Sequence, residues 1–225
     1  MIDVDNILEV FSGGALWCGA GDDATDLAQA ASIALERGIN TISVVPGAVG
    51  ILWPWLENKN VRILARFYLK SADVANISDM VESINQTFKQ GADGAQIFVD
   101  VRDLDGFVSQ LYLIRDDLFF NKTLFVGMNI SEIGPFDWPR IYAALNKLRA
   151  TGLILAMVRD DGNASDFVGR VYAALNDWKT DFDMELDFIV GKNLSRIEQV
   201  QRLIQSMCPE LTSRVRFFIN PQTRG

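Results

Sequence analysis

Residues that could carry out chemistry stand directly after apolar segments of this sequence. Lys70, Asp100 and Lys192 each lie where such a segment ends. A lysine amine can attack a carbonyl carbon and form an imine when burial or a nearby cation lowers its pKa. A carboxylate beside it can act as the general acid or base. We therefore predict Lys192, Lys70 and Asp100 as catalytic residues.

Four more polar side chains in or directly after apolar segments are predicted to bind the substrate: Tyr68, Asn129, Arg159 and Arg66. Arginine and amide groups donate hydrogen bonds to anions, so a small anionic metabolite is the predicted ligand. We expect Arg66 to lie below Asp100 and to keep that carboxyl ionised through its opposite charge.

A repeated junction predicts how these residues are positioned. In 36–45, 89–100 and 148–158 a helix ends at a small residue, and an apolar strand begins at once. Glycine suits the left-handed conformation that ends a helix, as expected at Gly91. This alternation is typical of a repeating β/α fold.

Eight strands alternating with helices are predicted over the whole chain, 1–225, as one domain. This number of units favours a closed (β/α)8 TIM barrel, in which strand carboxyl ends carry the active site. An open doubly wound sheet is the alternative, but Gly19-Ala-Gly lacks the third glycine of its phosphate-binding turn. We expect residues 2–12 to form a covering helix, and we expect no helix after the last strand. One helix is expected over 104–119. Another is expected over 47–57, where Pro54 kinks or divides it.

Composition excludes several kinds of function. The chain has 225 residues, a net charge of −8 and no histidine, which excludes Ser-His-Asp catalysis and His-ligated metal sites. The negative charge disfavours nucleic acid and anionic membranes as partners. Two distant cysteines and an acidic start without a basic n-region predict a reduced, cytoplasmic protein. We predict no cofactor and no bound metal.

Side-chain alternation predicts a polar barrel interior. Alternate residues of the strands, which share one face, include both positive and negative side chains, among them Arg66, Asp187 and Arg216. The simplest interpretation is a buried ion pair, in which Arg66 or Arg216 balances Asp187. The functional interpretation applies to the residues at the strand ends.

Three segments carry a resemblance to a known family. They read Gly-Ile-Asn-Thr-Ile-Ser-Val-Val-Pro-Gly at 38–47, Val-Arg-Ile-Leu-Ala-Arg-Phe at 61–67 and Gly-Ala-Asp-Gly-Ala-Gln-Ile at 91–97. With the Ala-Thr at 24–25, this sequence resembles the deoxyribose-phosphate aldolase branch of the class I aldolase barrels. The likeness covers less than half of the chain.

The resemblance implies the barrel and argues against the family's reaction. Such aldolases use lysines on strands six and seven and an aspartate on strand four. The matching positions hold Ala156 or Met157, Ile189 and Gln96. An alkyl side chain forms no imine, and an amide is not a general base.

Three functions stay open. The first is a carbon–carbon lyase or isomerase with a relocated site. The second is an inactive barrel that serves as a binding or assembly partner, with a homo-oligomer as one form, through exposed clusters at Trp53-Pro-Trp55 and Phe136-Asp-Trp138. The third is a metal-assisted enzyme that uses carboxylates near strand ends: Asp22, Asp23, Asp100, Glu132, Asp160 and Asp161.

Overall fold

Eight parallel strands close into a barrel in chain order, each paired with the next and the last with the first. The computed structural model describes residues 14–157, 164–178, 183–189 and 194–220. The strands are β1 (Gly14–Trp17), β2 (Thr41–Val44), β3 (Arg62–Tyr68), β4 (Gly94–Phe98), β5 (Thr123–Asn129), β6 (Gly152–Ala156), β7 (Glu185–Ile189) and β8 (Val215–Ile219). The predicted (β/α)8 barrel is confirmed.

Helices follow the strands and pack outside them. They are α1 (Ala24–Arg37), α2 (Val49–Leu56), α3 (Val74–Lys89), α4 (Leu104–Leu111), α5 (Arg115–Leu118), α6 (Trp138–Lys147), α7 (Ala164–Asn176) and α8 (Leu194–Met207). Short 3-10 turns precede several of them, at Pro46–Ala48, Val101–Asp103 and Ile130–Glu132. Within the described ranges, no helix combines the length and the apolar character needed to cross a bilayer. The covering helix expected over 2–12 lies outside the described residues.

Local sequence sets the ends of α1. The Asp23 carboxylate accepts hydrogen bonds from the backbone N–H groups of Thr25 and Asp26, which no helical carbonyl can reach. The helix stops at Gly38, whose φ of 66° is left-handed and costs glycine little. The chain then turns directly into β2.

Two helices differ from their predicted form. The single helix expected over 104–119 is wrong, because α4 ends at Leu111 and α5 begins only at Arg115. Arg115 donates from Nε to the Leu148 carbonyl (2.8 Å) and from Nη2 to the Arg149 carbonyl (2.9 Å), which ties α5 to the end of the next unit. The helix expected over 47–57 consists of a 3-10 turn at Pro46–Ala48 and α2, which continues through Pro54 to Leu56, so the proline does not divide it.

The alternation along the strands separates two apolar cores. In β3, Ile63, Ala65 and Phe67 belong to the large core between barrel and helices, whereas Leu64 belongs to a small cluster with Phe125 and Ile154. That small cluster joins β3, β5 and β6, which are not all neighbours, so it lies inside the barrel. The predicted parity of β3 is therefore confirmed.

A charged network occupies the interior at the amino ends of the strands. Arg216 donates from Nε and Nη2 to the two Asp187 oxygens, at 2.9 and 2.7 Å. Across the barrel, Arg62 on β3 donates from Nη1 and Nη2 to the two carboxylate oxygens of Glu185 on β7, each at 3.1 Å. Burial and Glu185 raise the pKa of Asp187, while both guanidiniums favour its ionised form. The expected ion pair exists, with Arg216 rather than Arg66.

Candidate functional site

Arg66 is the central cation at the carboxyl ends of β1 to β4. Its Nη1 donates to the Ser43 carbonyl (2.9 Å) and to Ser43 Oγ (3.1 Å), and its Nη2 donates to the Cys18 carbonyl. The guanidinium carbon lies 3.8 Å from the centroid of the Trp17 ring, a cation–π contact. The backbone of Arg66 is therefore fixed by β3, and its guanidinium is fixed by the carboxyl ends of β1 and β2.

The charge of Arg66 is buried without a carboxylate in ion-pair distance among the described residues. The residue is 3 % exposed. Burial lowers its pKa, and the surrounding Tyr68, Cys18 and Asp22 oppose that effect in part. By contrast, the buried Arg216 has both Asp187 and Glu185 beside it. A buried guanidinium of this kind favours an anion in contact with it.

Gln96 lies next to Arg66, since the two residues are register partners on β4 and β3. Its Oε1 accepts a hydrogen bond from Ser43 Oγ. Its Nε2 and the Nε of Arg66 are both buried and have no hydrogen-bond partner in the described part of the chain. Unpaired buried donors are rare and cost free energy, so this pair favours an acceptor between them.

Four rings at these strand ends contact one another and are called the aromatic cluster here: Trp17, Tyr68, Phe98 and Phe218. Trp17 packs edge-on against Phe98 (5.9 Å between centroids) and Phe218 (5.8 Å). Tyr68 stacks on Phe98 at 5.1 Å with an interplanar angle of 24°. Tyr68 is 63 % exposed, whereas Phe218 is buried. The cluster thus runs from the barrel interior to its surface.

Asp100 follows β4 but has a different partner from the one expected. Arg102, not Arg66, pairs with it, through Nε–Oδ1 (2.9 Å) and Nη2–Oδ2 (2.5 Å). These bonds and the Arg102 backbone N–H lower the pKa of Asp100 to about 2. The expected pairing is wrong because the side chain two residues ahead reaches the carboxylate, while Arg66 is drawn to Cys18 and Ser43.

The remaining predicted site residues are spread around this rim. Lys70 is exposed just after β3. Asn129, half-buried at the end of β5, accepts from the Ser131 N–H and donates to Glu132 Oε1. Lys192 and Arg159 lie outside the described residues. The structure therefore brings Arg66 together with Tyr68, while Asp100 and Asn129 make local contacts at their own strand ends.

The candidate metal ligands with described positions have other partners. Asp22 accepts from the Gly19 N–H, Asp23 caps α1, and Asp160 and Asp161 lie outside the described residues. Among the residues with described positions, no three acidic or cysteine side chains gather closely enough to hold a metal ion.

The positions that match the aldolase residues are apolar or amide. Ala156 ends β6 and is the register partner of Ile189, which ends β7. Ile189 packs against the small inner cluster with Phe98. Gln96 takes the position on β4 and bonds Ser43. These described positions offer no amine for an imine.

Sequence reasoning missed two residues of this site, Ser43 and Trp17. Ser43 carries a detectable signal: with Thr41 it forms the polar parity of β2, opposite the apolar Ile42 and Val44. Trp17 carries none, since a tryptophan in an apolar strand is usually a core residue.

Comparison with known proteins agrees with this architecture. No protein-family model and no curated protein sequence matches the chain. Its fold is similar to that of a Toxoplasma gondii protein assigned as a deoxyribose-phosphate aldolase (17% identity, 93% of this chain and 88% of that one, TM-score 0.72). The chain has an aldolase-like barrel fold.

Two further structures support that description. The tetrameric deoxyribose phosphate aldolase of Aeropyrum pernix is 9% identical, with 92% of this chain and 84% of that one covered and a TM-score of 0.65. A Streptococcus agalactiae protein assigned as the copper homeostasis protein CutC is 14% identical, with 93% and 99% covered and a TM-score of 0.65. At these identities, the likeness of the aldolase-like barrel to each of them concerns the fold alone.

Proposed function

We propose that this aldolase-like barrel binds a small anionic metabolite at the carboxyl ends of its strands, with Arg66 and Gln96 holding the anion. The observation that carries the proposal is the pair of adjacent buried donors, Arg66 Nε and Gln96 Nε2, that have no partner in the described structure. An anionic oxygen satisfies both donors and balances the guanidinium charge in one step.

A carbon–carbon lyase or isomerase reaction is the catalytic extension of this proposal. It assigns the nucleophile to Lys192 or Lys70, acid–base chemistry to Asp100, and substrate contacts to Asn129 and Arg159. Borohydride trapping with small aldehydes and keto acids tests it, since an imine is reduced to a stable adduct on the lysine. If neither lysine carries an adduct, the proposed binding function stands without this reaction.

Calorimetric titration with acetate and inorganic phosphate tests the binding function. We expect heat with at least one anion, a loss of that binding in Arg66→Met, and a weakening in Gln96→Leu. Lys59→Met removes an exposed cation from the segment that leads into the opposite end of β3 and should leave binding unchanged. Equal binding by the Arg66→Met and native proteins contradicts the proposal.

Assembly is the second candidate, and one side chain favours it. Phe136 is 92 % exposed, and a surface cavity of about 230 Å³ lies next to it, lined by Ile133, Pro135, Trp138, Asp166, Gly169, Arg170 and Ala173. Exposed aromatic rings are typical of interfaces. The predicted cluster at this point is partly wrong, since Trp138 is buried.

The solved aldolase from Aeropyrum pernix is described as tetrameric, which makes a homo-oligomer the form of assembly to test. Light scattering of the native protein and of Phe136→Ser compares their masses. We expect an oligomer that this substitution dissociates. A monomeric native protein, or an unchanged oligomer, removes Phe136 from any such interface.

A further inference from the structure

We propose that the anion held by Arg66 and Gln96 belongs to an aryl acid, in which a planar aromatic ring is joined to a carboxylate by a short chain. This inference rests on the proposed function, because it names the chemical class of the metabolite at that same site. It follows from the rings above the donors and from their spacing.

The outermost ring of the aromatic cluster stacks on one neighbour and is otherwise largely exposed. Tyr68 stacks on Phe98 through one face and remains 63 % exposed. An exposed ring at the mouth of a barrel is a platform on which a second ring stacks, and aromatic pairs gain energy beyond the area they bury. Sugar phosphates and short aliphatic acids cannot use this platform in the same way.

The distance between the Tyr68 ring and the donors suits a ligand with an aromatic group at one end and an anionic group at the other. Arg66 and Tyr68 are two residues apart on β3, and their register partners on β4 are Gln96 and Phe98. Both rings therefore stand one layer above both donors, by roughly 6.6 Å at the usual rise of a strand. A carboxylate in the lower layer and a ring in the upper one are joined by a chain of two or three atoms.

The described wall of this path on the β6 and β7 side is apolar. Ile189 and Phe98 pack against the small inner cluster, and Ala156 takes the place on β6 next to Ile189. A ligand covered with hydroxyl groups would lose hydrogen bonds to water along such walls. A flat hydrocarbon ring loses none, so the lining and the platform select the same kind of ligand.

Entry requires the ring layer above the donors to open. The donor atoms of Arg66 and Gln96 are enclosed by protein atoms. Tyr68, in the layer above, is exposed, and side chains of this kind change rotamer rapidly. In this proposal Tyr68 rotates outwards to admit the ligand, and its ring then stacks on the ring of the ligand.

Calorimetric titration with two matched acids tests the inference. Phenylpropionate and cyclohexylpropionate have the same chain and carboxylate but differ in the planarity of the ring. We expect phenylpropionate to bind about five-fold more tightly, as one aromatic stack predicts. Tyr68→Leu should abolish this preference while both acids still bind, and Tyr112→Leu, an exposed tyrosine at the carboxyl end of α4, should keep it.

The outcomes separate this inference from the proposed function. Arg66→Met should lose both acids, and if that variant fails to fold, Gln96→Leu should weaken both. Equal affinity for the two acids, with dependence on Arg66 or Gln96, overturns the aryl acid and leaves anion binding intact. An unchanged preference in Tyr68→Leu also overturns it. No binding of either acid, acetate or phosphate overturns both proposals.

Discussion

Arg216 and Asp187 form a two-point ion pair inside the barrel, with Nε–Oδ1 at 2.9 Å and Nη2–Oδ2 at 2.7 Å. Asp187 is fully buried, and Arg216 is nearly so. The same guanidinium also contacts Glu185 at 2.5 Å and Thr41 Oγ1 at 3.2 Å. This one cation therefore joins β7 and β8 to β2.

Removing one member of that pair should destabilise the protein strongly. Asp187→Leu leaves Arg216 with Glu185 alone, and we expect a loss of about 3 to 5 kcal/mol in the free energy of unfolding, measured in urea. Adding Arg216→Met to the same chain should recover most of the loss, because no charge is then left unpaired. Asp183→Asn, at an exposed carboxylate paired with Arg214, should cost less than about 1 kcal/mol. A double variant that is less stable than Asp187→Leu contradicts this account.

The Asp100–Arg102 pair should appear in the pH dependence of stability. The folded pKa of Asp100 is about 2, below its usual 3.8, so the pair stabilises the fold above the unfolded pKa and loses that effect as pH falls through the folded pKa. Arg102→Gln should be less stable than the native protein near neutral pH, and the difference should vanish in strong acid. NMR titration of the Asp100 carboxyl carbon should show a raised pKa in this variant. An unchanged pKa would assign the shift to another group.

The glycine at the start of β6 should not tolerate a side chain. A Cβ on Gly152 would lie 2.6 Å from the Phe125 ring and 2.7 Å from the Glu185 carbonyl oxygen, closer than packed atoms approach. We expect Gly152→Ala to cost about 1 to 3 kcal/mol by overpacking. Gly50→Ala is the control: its Cβ meets nothing within 4 Å, and it lies in α2, where alanine is neutral or stabilising by up to about 1 kcal/mol. Urea unfolding of both variants compares them, and equal stabilities would contradict the contact.

The Cys18 thiol should be unreactive in the folded protein. It is completely buried, and burial together with Asp22 raises its pKa to about 12, so almost no thiolate exists at neutral pH. Iodoacetamide should leave Cys18 unmodified in buffer and modify it in urea, as mass spectrometry of the peptides shows. Ser32→Cys places a thiol on the exposed face of α1 and should react at once. Rapid alkylation of Cys18 in buffer would show that this end of β1 opens.

Local pattern determined the architecture and the direction of most side chains. Helix stops such as Gly38 and alternating strands such as β3 depend on near neighbours in sequence, so the barrel and the inward position of Arg66 could be predicted. The polar identity of Gln96 and the missing lysines at Ala156 and Ile189 were also visible in the sequence.

Only the tertiary structure decided which inward groups meet. Closure of the barrel brings Arg62 to Glu185 and Arg216 to Thr41, pairs that are far apart in the chain and joined only by the register of eight strands. Asp100 was assigned to Arg66 by strand position, but a residue two places away binds it instead. Strand parity states the face on which a side chain lies. Which partner it finds there depends on the length and rotamer of every side chain that shares the interior.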